Sequence, residues 1–282
     1  MNKQTYIKEL QKALQNGNEA DQEDIIRYVT EYFEDAEDDE QVLKELGTPQ
    51  EFLANIQKDQ AEQIETKTEE ITEMNDNGIQ RISICVDLGD VKIEKGKELQ
   101  FQAIGVPEKE YKTYTAQNTL YIQSTYRFHF RISRNSIRYL YRLTVPENMW
   151  LTFMEIECKL GNVVLSDINV KELQIKEHLG DIRLTRVNCD KMKLIQKMGE
   201  IDYVGDHPGD MVLKNAMGSI DVTIHDDETH YNYDCSAAMG SVKINGDTCE
   251  GINTSLKRTH KDATYSIEAK NRMGDIKLRF QK

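Results

Sequence analysis

Two histidines and three acids crowd into one stretch of this chain, His225-Asp226-Asp227-Glu228-Thr229-His230. Imidazole nitrogens and carboxylate oxygens are ligand types for a divalent metal. The stretch also falls in an unusually long interval of a repeat described below, so it reads more simply as a loop inserted between units. A second set of acids and short polar residues follows seven glycines: Asp90, Asn162, Asp181, Glu200, Ser219, Ser241 and Asp275. Stacked carboxylates can hold calcium. Calcium-binding repeats, however, run on a nine-residue period with paired glycines, which this chain lacks. Short polar side chains favour turns by bonding nearby backbone, and that is the reading adopted here.

A third candidate is basic. Arg127, His129 and Arg131 alternate with Phe128 and Phe130, and Arg138 and Arg142 follow the turn Ser133-Arg134-Asn135-Ser136. On a hairpin, the aromatics would face inward and Arg127, Arg131, Arg138 and Arg142 would share the outer face. Arginine suits carboxylate and phosphate partners. Three readings compete: a solvated strand face, a dock for the acidic N-terminal part within one chain or a dimer, and a contact with an anionic surface. These four arginines are the partner-binding candidates. No catalytic, cofactor or metal residue is assigned. There is no Gly-x-Ser-x-Gly elbow, phosphate loop or HExxH. A carbohydrate-active enzyme would need grouped acids beside long loops, and only residues 225–235 and 245–265 leave room for them.

These residues need a scaffold, and a repeat supplies it. Seven copies of an apolar residue, glycine, a short polar residue and apolar–any–apolar run from Leu88-Gly89-Asp90-Val91-Lys92-Ile93 to Met273-Gly274-Asp275-Ile276-Lys277-Leu278. Glycines 161, 180, 199 and 218 are each 19 residues apart, and the next intervals are 22 and 34. A fixed period near twenty marks stacked units that bury alternate side chains against their neighbours. Two-residue alternation, as in Ile82, Ile84 and Val86, makes the units strands. Leu173 and Ile175, Lys193-Leu194-Ile195, and Met211 and Leu213 hold matching places in successive units. Glycine at each corner permits a positive-φ turn. The polar run Asn245–Thr264 caps the last coil or covers an edge strand.

The first sixty residues follow a different rhythm. Tyr6, Ile7, Leu10, Ala13 and Leu14 recur at helical spacing, with Asn16-Gly17-Asn18 as the stop. A second helix carries Ile25, Ile26, Tyr28, Val29, Tyr32, Phe33 and Ala36 on one face. The run Glu37-Asp38-Asp39-Glu40 opens a third, around Val42, Leu43 and Leu46, which ends at Gly47. Thr48 then caps a fourth helix with Pro49 at its first position. Residues 57–77 are polar and read as a continued helix or a charged linker, with the domain boundary at about 75.

Residues 1–80 hold 21 acids and 7 bases, and the remainder is nearly neutral, so the overall charge of −13 belongs to the N-terminal part. Phosphate would be repelled there, which argues against direct nucleic-acid binding and for a basic protein partner. No apolar run approaches the ~20 residues of a membrane-spanning helix. Met1–Tyr6 lacks a secretory layout, so the expected location is cytoplasmic, or peripheral to a membrane. Five cysteines without CxxC spacing read as small buried thiols.

Two resemblances follow. Tyr6 to Leu14, Glu31-Tyr32-Phe33-Glu34-Asp35-Ala36 and Leu46-Gly47-Thr48-Pro49-Gln50-Glu51 resemble the HAAS signalling-domain family, a small helical module often associated with PadR-type transcriptional regulators. The resemblance implies a protein-interaction role, a PadR-type regulator as a candidate partner, and no catalytic residue. The glycine repeat, with Leu143-Thr144-Val145-Pro146-Glu147-Asn148, resembles the bacterial putative-adhesin β-helix family over about 200 residues. The expected architecture is multidomain α plus all-β: an acidic helical module with a charged linker over 1–75, and a short single-stranded β-solenoid (β-helix) with ~19-residue coils over 76–282. The two resemblances together imply a non-enzymatic interaction or regulatory protein in bacterial signalling or envelope stress, with self-association or head–body docking as further contacts. The alternatives are an adhesin-like cell-surface structural protein and, behind it, a carbohydrate-active β-helix enzyme.

Overall fold

The structure, a computed structural model, describes residues 2–14, 22, 25–26, 29–30, 33, 39–54, 70–73, 78–125 and 139–281. The chain divides into two compact units. The first is helical. Helix α1 (Lys3–Ala13) starts where the Asn2 side chain accepts the Thr5 N–H at 2.9 Å, and it buries Tyr6 and Leu10, one turn apart. Helix α2 (Asp39–Leu46) stops at Gly47, whose φ of +70° lets its N–H reach the Leu43 carbonyl at 3.1 Å. Residues 49–54 are helical again. Their start is a reciprocal cap: the Thr48 N–H donates to Glu51 Oε2 at 2.8 Å, and the Glu51 N–H donates to Thr48 Oγ1 at 3.2 Å. Tyr6, Leu10, Ile25, Val29, Phe33, Val42, Leu46 and Phe52 form this unit's own core. The expected stop at Asn16–Asn18, and Tyr28, Tyr32 and Ala36 of the second helix, lie outside the described residues.

The second unit is almost entirely strand. Its long strands form a parallel ladder: Arg81–Leu88, Leu151–Leu160, Val170–Leu179, Lys191–Met198 and Asp210–Met217, then Tyr265–Met273 and the first part of Tyr231–Ile244. A companion ladder of shorter strands runs from Asp90–Gly96 through Val163–Ser166, Ile182–Thr185, Ile201–Gly205 and Ile220–Ile224 to Ile276–Phe280 and the end of Tyr231–Ile244. One long and one short strand, joined at a repeat glycine, make a rung. Side chains alternate along each strand, so Leu173, Met192 and Met211 stack in one buried column and Ile175, Leu194 and Leu213 in the next. Each fully buried aliphatic side chain contributes roughly 1.5–3 kcal/mol, and none could be buried without the rung above or below it.

The order of the rungs differs from the order of the chain. The last coil, 265–280, lies between the rung 210–224 and the rung 231–244. The 22-residue interval is therefore long because residues 225–230 step over a whole rung, leaving a slot that the C-terminal coil fills. At the other end, the chain leaves rung 81–96 to build Thr119–Ser124 and Leu140–Pro146 on its outer side, then returns to build 151–166 on its inner side. Both the first and the last sequence repeats are thus held between neighbours.

The edges are covered. Asp247–Arg258 pairs antiparallel with Tyr231–Ile244, so the polar run after Asn245 does cover an edge strand. Tyr111–Ala116 covers Thr119–Ser124, and Gln100–Ile104 covers Leu140–Pro146. Glu70–Glu73 pairs antiparallel with Gln100–Ile104. That strand corrects the helix-or-linker reading of this stretch: an open edge recruits backbone hydrogen bonds whatever the side chains.

Candidate functional site

The repeat glycines form one column through the stack. Their φ values run from +120° at Gly89 to +152° at Gly180. A Cβ on Gly180 would lie 2.0 Å from the Gly161 carbonyl oxygen, and one on Gly274 would lie 2.0 Å from that of Gly218. Backbone thus packs on backbone at every corner, and only glycine fits. The N–H groups of Gly89, Gly161, Gly180, Gly199, Gly218 and Gly274 each donate to a carbonyl of the neighbouring rung, Gly180 to that of Met198 at 3.2 Å and Gly218 to that of Met273 at 2.9 Å.

The short polar residues after the glycines also work between rungs. Asp90 Oδ1 accepts the Asn162 N–H at 2.8 Å, Asn162 Oδ1 accepts the Asp181 N–H at 3.0 Å, and Asp181 Oδ1 accepts the Glu200 N–H at 3.0 Å. Asp275 Oδ1 accepts both the Ser241 N–H and its hydroxyl at 2.8 Å, which holds its carboxyl below the usual carboxylate range. The turn expectation assumed that each side chain would bond its own backbone. Asp90, Asn162, Asp181 and Asp275 instead bond the neighbouring rung, because the corners stack in register.

A further column was not singled out from the sequence. Three residues before the glycines stand Cys158, Glu177, Gln196, Asn215 and Asn271, all facing inward. The Asn215 amide donates to the Gly199 carbonyl at 2.9 Å and the Asn271 amide to that of Gly218 at 2.7 Å. The Gln196 amide meets the Gly180 carbonyl in the same way. Glu177, 1 % exposed, holds the corresponding place beneath them, yet neither carboxyl oxygen has a hydrogen-bond partner. Burial lifts its pKa to about 8, despite the nearby Leu179 N–H and Gln196 amide. Strand alternation was the available signal: Leu173, Ile175 and Glu177 share one face.

The histidines of the 225–230 stretch go to separate carboxylates. His225 Nδ1 lies 3.0 Å from Asp206 Oδ1, and His230 Nδ1 lies 2.9 Å from Asp226 Oδ1. Among the described residues, no group of three or more His, Cys, Asp or Glu side chains is arranged to hold a metal ion. Glu228 is the hub of the step. It accepts from the Tyr233 hydroxyl at 2.7 Å, the Asn245 amide at 2.6 Å and Arg258 at 2.8 Å. Burial alone would raise its pKa, but these bonds and the Arg258 charge hold it below the usual range. The loop's polar residues thereby brace the crossing.

Of the four arginine candidates, Arg127, Arg131 and Arg138 lie outside the described residues. Arg142 sits on Leu140–Pro146, where its Nε is 3.2 Å from Glu94 Oε1, and Glu94 also holds Lys92 at 2.6 Å. The five cysteines are free thiols, as expected, but only Cys158, Cys189 and Cys235 are buried, with pKa values lifted to about 12 by burial; Cys85 is exposed. Among the described residues, no helix is long and apolar enough to cross a membrane.

Two parallel ladders with a glycine corner on every rung, beside a separate small helical unit, define a repeat protein of stacked strands. The chain belongs to the Toastrack DUF4097 family, whose model matches residues 79–223 and 148–279, and the HAAS model matches residues 5–55. No curated protein matches the chain. Among solved structures it is similar to a "putative cell adhesion protein" from Clostridium sporogenes, 20% identical, covering 76% of this chain and 99% of that one at a TM-score of 0.48. It is also similar to a "putative adhesin" from Bacteroides fragilis (11% identical, 76% and 98% covered, TM-score 0.34). A third is a "putative lipid binding protein" from Parabacteroides distasonis (14% identical, 76% and 98% covered, TM-score 0.34).

Proposed function

We propose that this chain is a non-enzymatic interaction protein in which the helical unit recognises a protein partner and the strand body is a rigid scaffold, a single-chain β-solenoid advancing about nineteen residues per coil. The observation that carries this reading is where the chemistry-bearing groups go. The corner acids accept backbone N–H groups of the next rung, the inward amides donate to glycine carbonyls, and the loop histidines and Glu228 brace the step over a rung. Groups engaged this way hold the stack together. The HAAS match supports a protein-interaction role for the helical unit, whose core is its own.

Bacterial signalling or envelope-stress regulation is the setting this reading favours, with a PadR-type regulator as the first partner to try and a cytoplasmic or membrane-peripheral location. A pull-down from native lysate tests it, comparing the full chain with a chain beginning at Thr68, which keeps the edge strand Glu70–Glu73. The partner should be captured by the full chain and lost from the shortened one. Equal capture by both would remove the helical unit from the interaction.

The second reading is an adhesin-like cell-surface structural protein, and the similar structures described as a "putative cell adhesion protein" and a "putative adhesin" are in keeping with it. Fractionation of native cells separates the two, since that reading requires the chain outside the membrane.

A further inference from the structure

One apolar feature of the body is not buried. The residue before each repeat glycine is Leu or Met in every copy, and these side chains stand in register from Leu88 to Met239. Leu179, Met198, Met217 and Met239 are 43–51% exposed, and Ile252, paired with Met239, is 79% exposed. Seven rungs at ~4.8 Å make a straight ridge ~29 Å long. Leu160 and Met273 are half-buried and Leu88 packs against the core, so the exposed part is Leu179, Met198 and Met217, then Met239 with Ile252, and exposed apolar side chains grouped this way mark an interaction surface.

The flanks say what meets it. Rungs with a base before the apolar residue carry an acid or amide after the glycine: Lys159 with Asn162, His178 with Asp181, Lys197 with Glu200, Arg272 with Asp275. The two rungs without the base also lack the acid, having Ala216 with Ser219 and Ala238 with Ser241. Two rungs therefore carry a base on one side and an acid on the other, Lys197 with Glu200 and Arg272 with Asp275, and two are neutral on both sides; burial, with the Lys197 charge, lowers the His178 pKa, and Asn162 is uncharged. Beyond the basic side the surface dips into a groove lined by Lys214, Ser236, Asn253, Ser255, Lys270 and Arg272. Lys197, Lys214 and Arg272 make no ion pair among the described residues.

We infer that this ridge is a self-association surface on which two copies of the chain meet about a two-fold axis parallel to the stack. That axis carries each flank to the opposite side, so every rung faces its own mate: Lys197 meets Glu200 of the second copy, Arg272 meets Asp275, and the neutral rungs meet each other. A perpendicular two-fold axis would set bases against bases. A flat anionic surface would attract one flank and be repelled by the other. The rung at one end, with Asp87 and Asp90, departs from the pattern, and there Lys159 lies 2.8 Å from Asp87. The surface lies wholly on the strand body and does not depend on what the helical unit binds.

Sedimentation velocity of the full chain over a concentration series tests the inference, with far-UV circular dichroism to check that each variant folds. The wild-type chain should pass from monomer to dimer as concentration rises. Met198→Glu with Met217→Glu should weaken association at least tenfold. Lys197→Glu should weaken it several-fold, and adding Glu200→Lys to the same chain should restore it, because the swapped charges again face each other. A wild-type chain that stays monomeric, a folded double-glutamate variant that associates as well as wild type, or a charge swap without recovery would each overturn it.

Discussion

Glu177 stands in a column where its neighbours hold the preceding glycine carbonyl with an amide N–H, and a carboxylate has no proton to give. Only the neutral acid can donate to the Gly161 carbonyl as Asn215 does to that of Gly199. The pKa of about 8 in the folded chain lies above the unfolded value of 4.5, so the folded chain holds this proton more tightly. Stability from this group is whole below about pH 4.5 and is lost as pH rises toward 8. Glu177→Gln should therefore raise the unfolding free energy read from urea melts by about 1–3 kcal/mol at pH 8.5, the usual cost of an unsatisfied buried polar group, and by less at pH 5. Equal gains at both pH values would show that the proton is not what matters. The post-glycine residues were legible as structural from their types and places. Glu177 was not, because a glutamate inside a lysine-rich strand looks like one more surface charge until alternation is followed to its end.

At the scale of elements, the signals that could be read locally were read. Gly47, Thr48 and Pro49 mark one helix end and the next helix start through backbone geometry alone, and the structure adds the reciprocal bond from Glu51. Replacing Thr48 by Ala should lower the stability of the helical unit by about 1 kcal/mol, as N-cap losses generally do, measured as the thermal midpoint of its helical signal. The Thr48 N–H, and then its hydroxyl, hold the Glu51 carboxyl below its usual pKa. The Ala variant keeps the N–H bond and loses the hydroxyl bond, whose stability is present above pH 4.5 and fades as pH falls through the lowered value, so that part of the wild-type advantage should shrink in acid. An unchanged midpoint would mean that the cap is dispensable. Glu70–Glu73 was not legible as strand, since its partner, Gln100–Ile104, is distant in sequence.

For the whole molecule, the stacked-strand body was legible from seven copies of one short pattern, but the order of stacking was not. Every rung presents the same glycine, a polar or acidic corner residue and the same alternation of inward side chains, so local pattern fits the rungs in any order. Only the intervals of 22 and 34 residues hinted at a step, and a long interval equally suits a simple loop. The slotted C-terminal coil is what unites the account: it supplies the carbonyl of Met273 to Gly218 and the carboxylate of Asp275 to Ser241, so polar groups that resemble chemistry are absorbed by an interlocked stack. The most direct test is the set of backbone nuclear Overhauser contacts around Gly218 and Lys214 in the labelled full chain. Contacts from Gly218 to Met273 and from Lys214 to Lys270 are expected, whereas contacts running instead to Met239 and Ser236 would mean that the coils stack in chain order and would contradict the account.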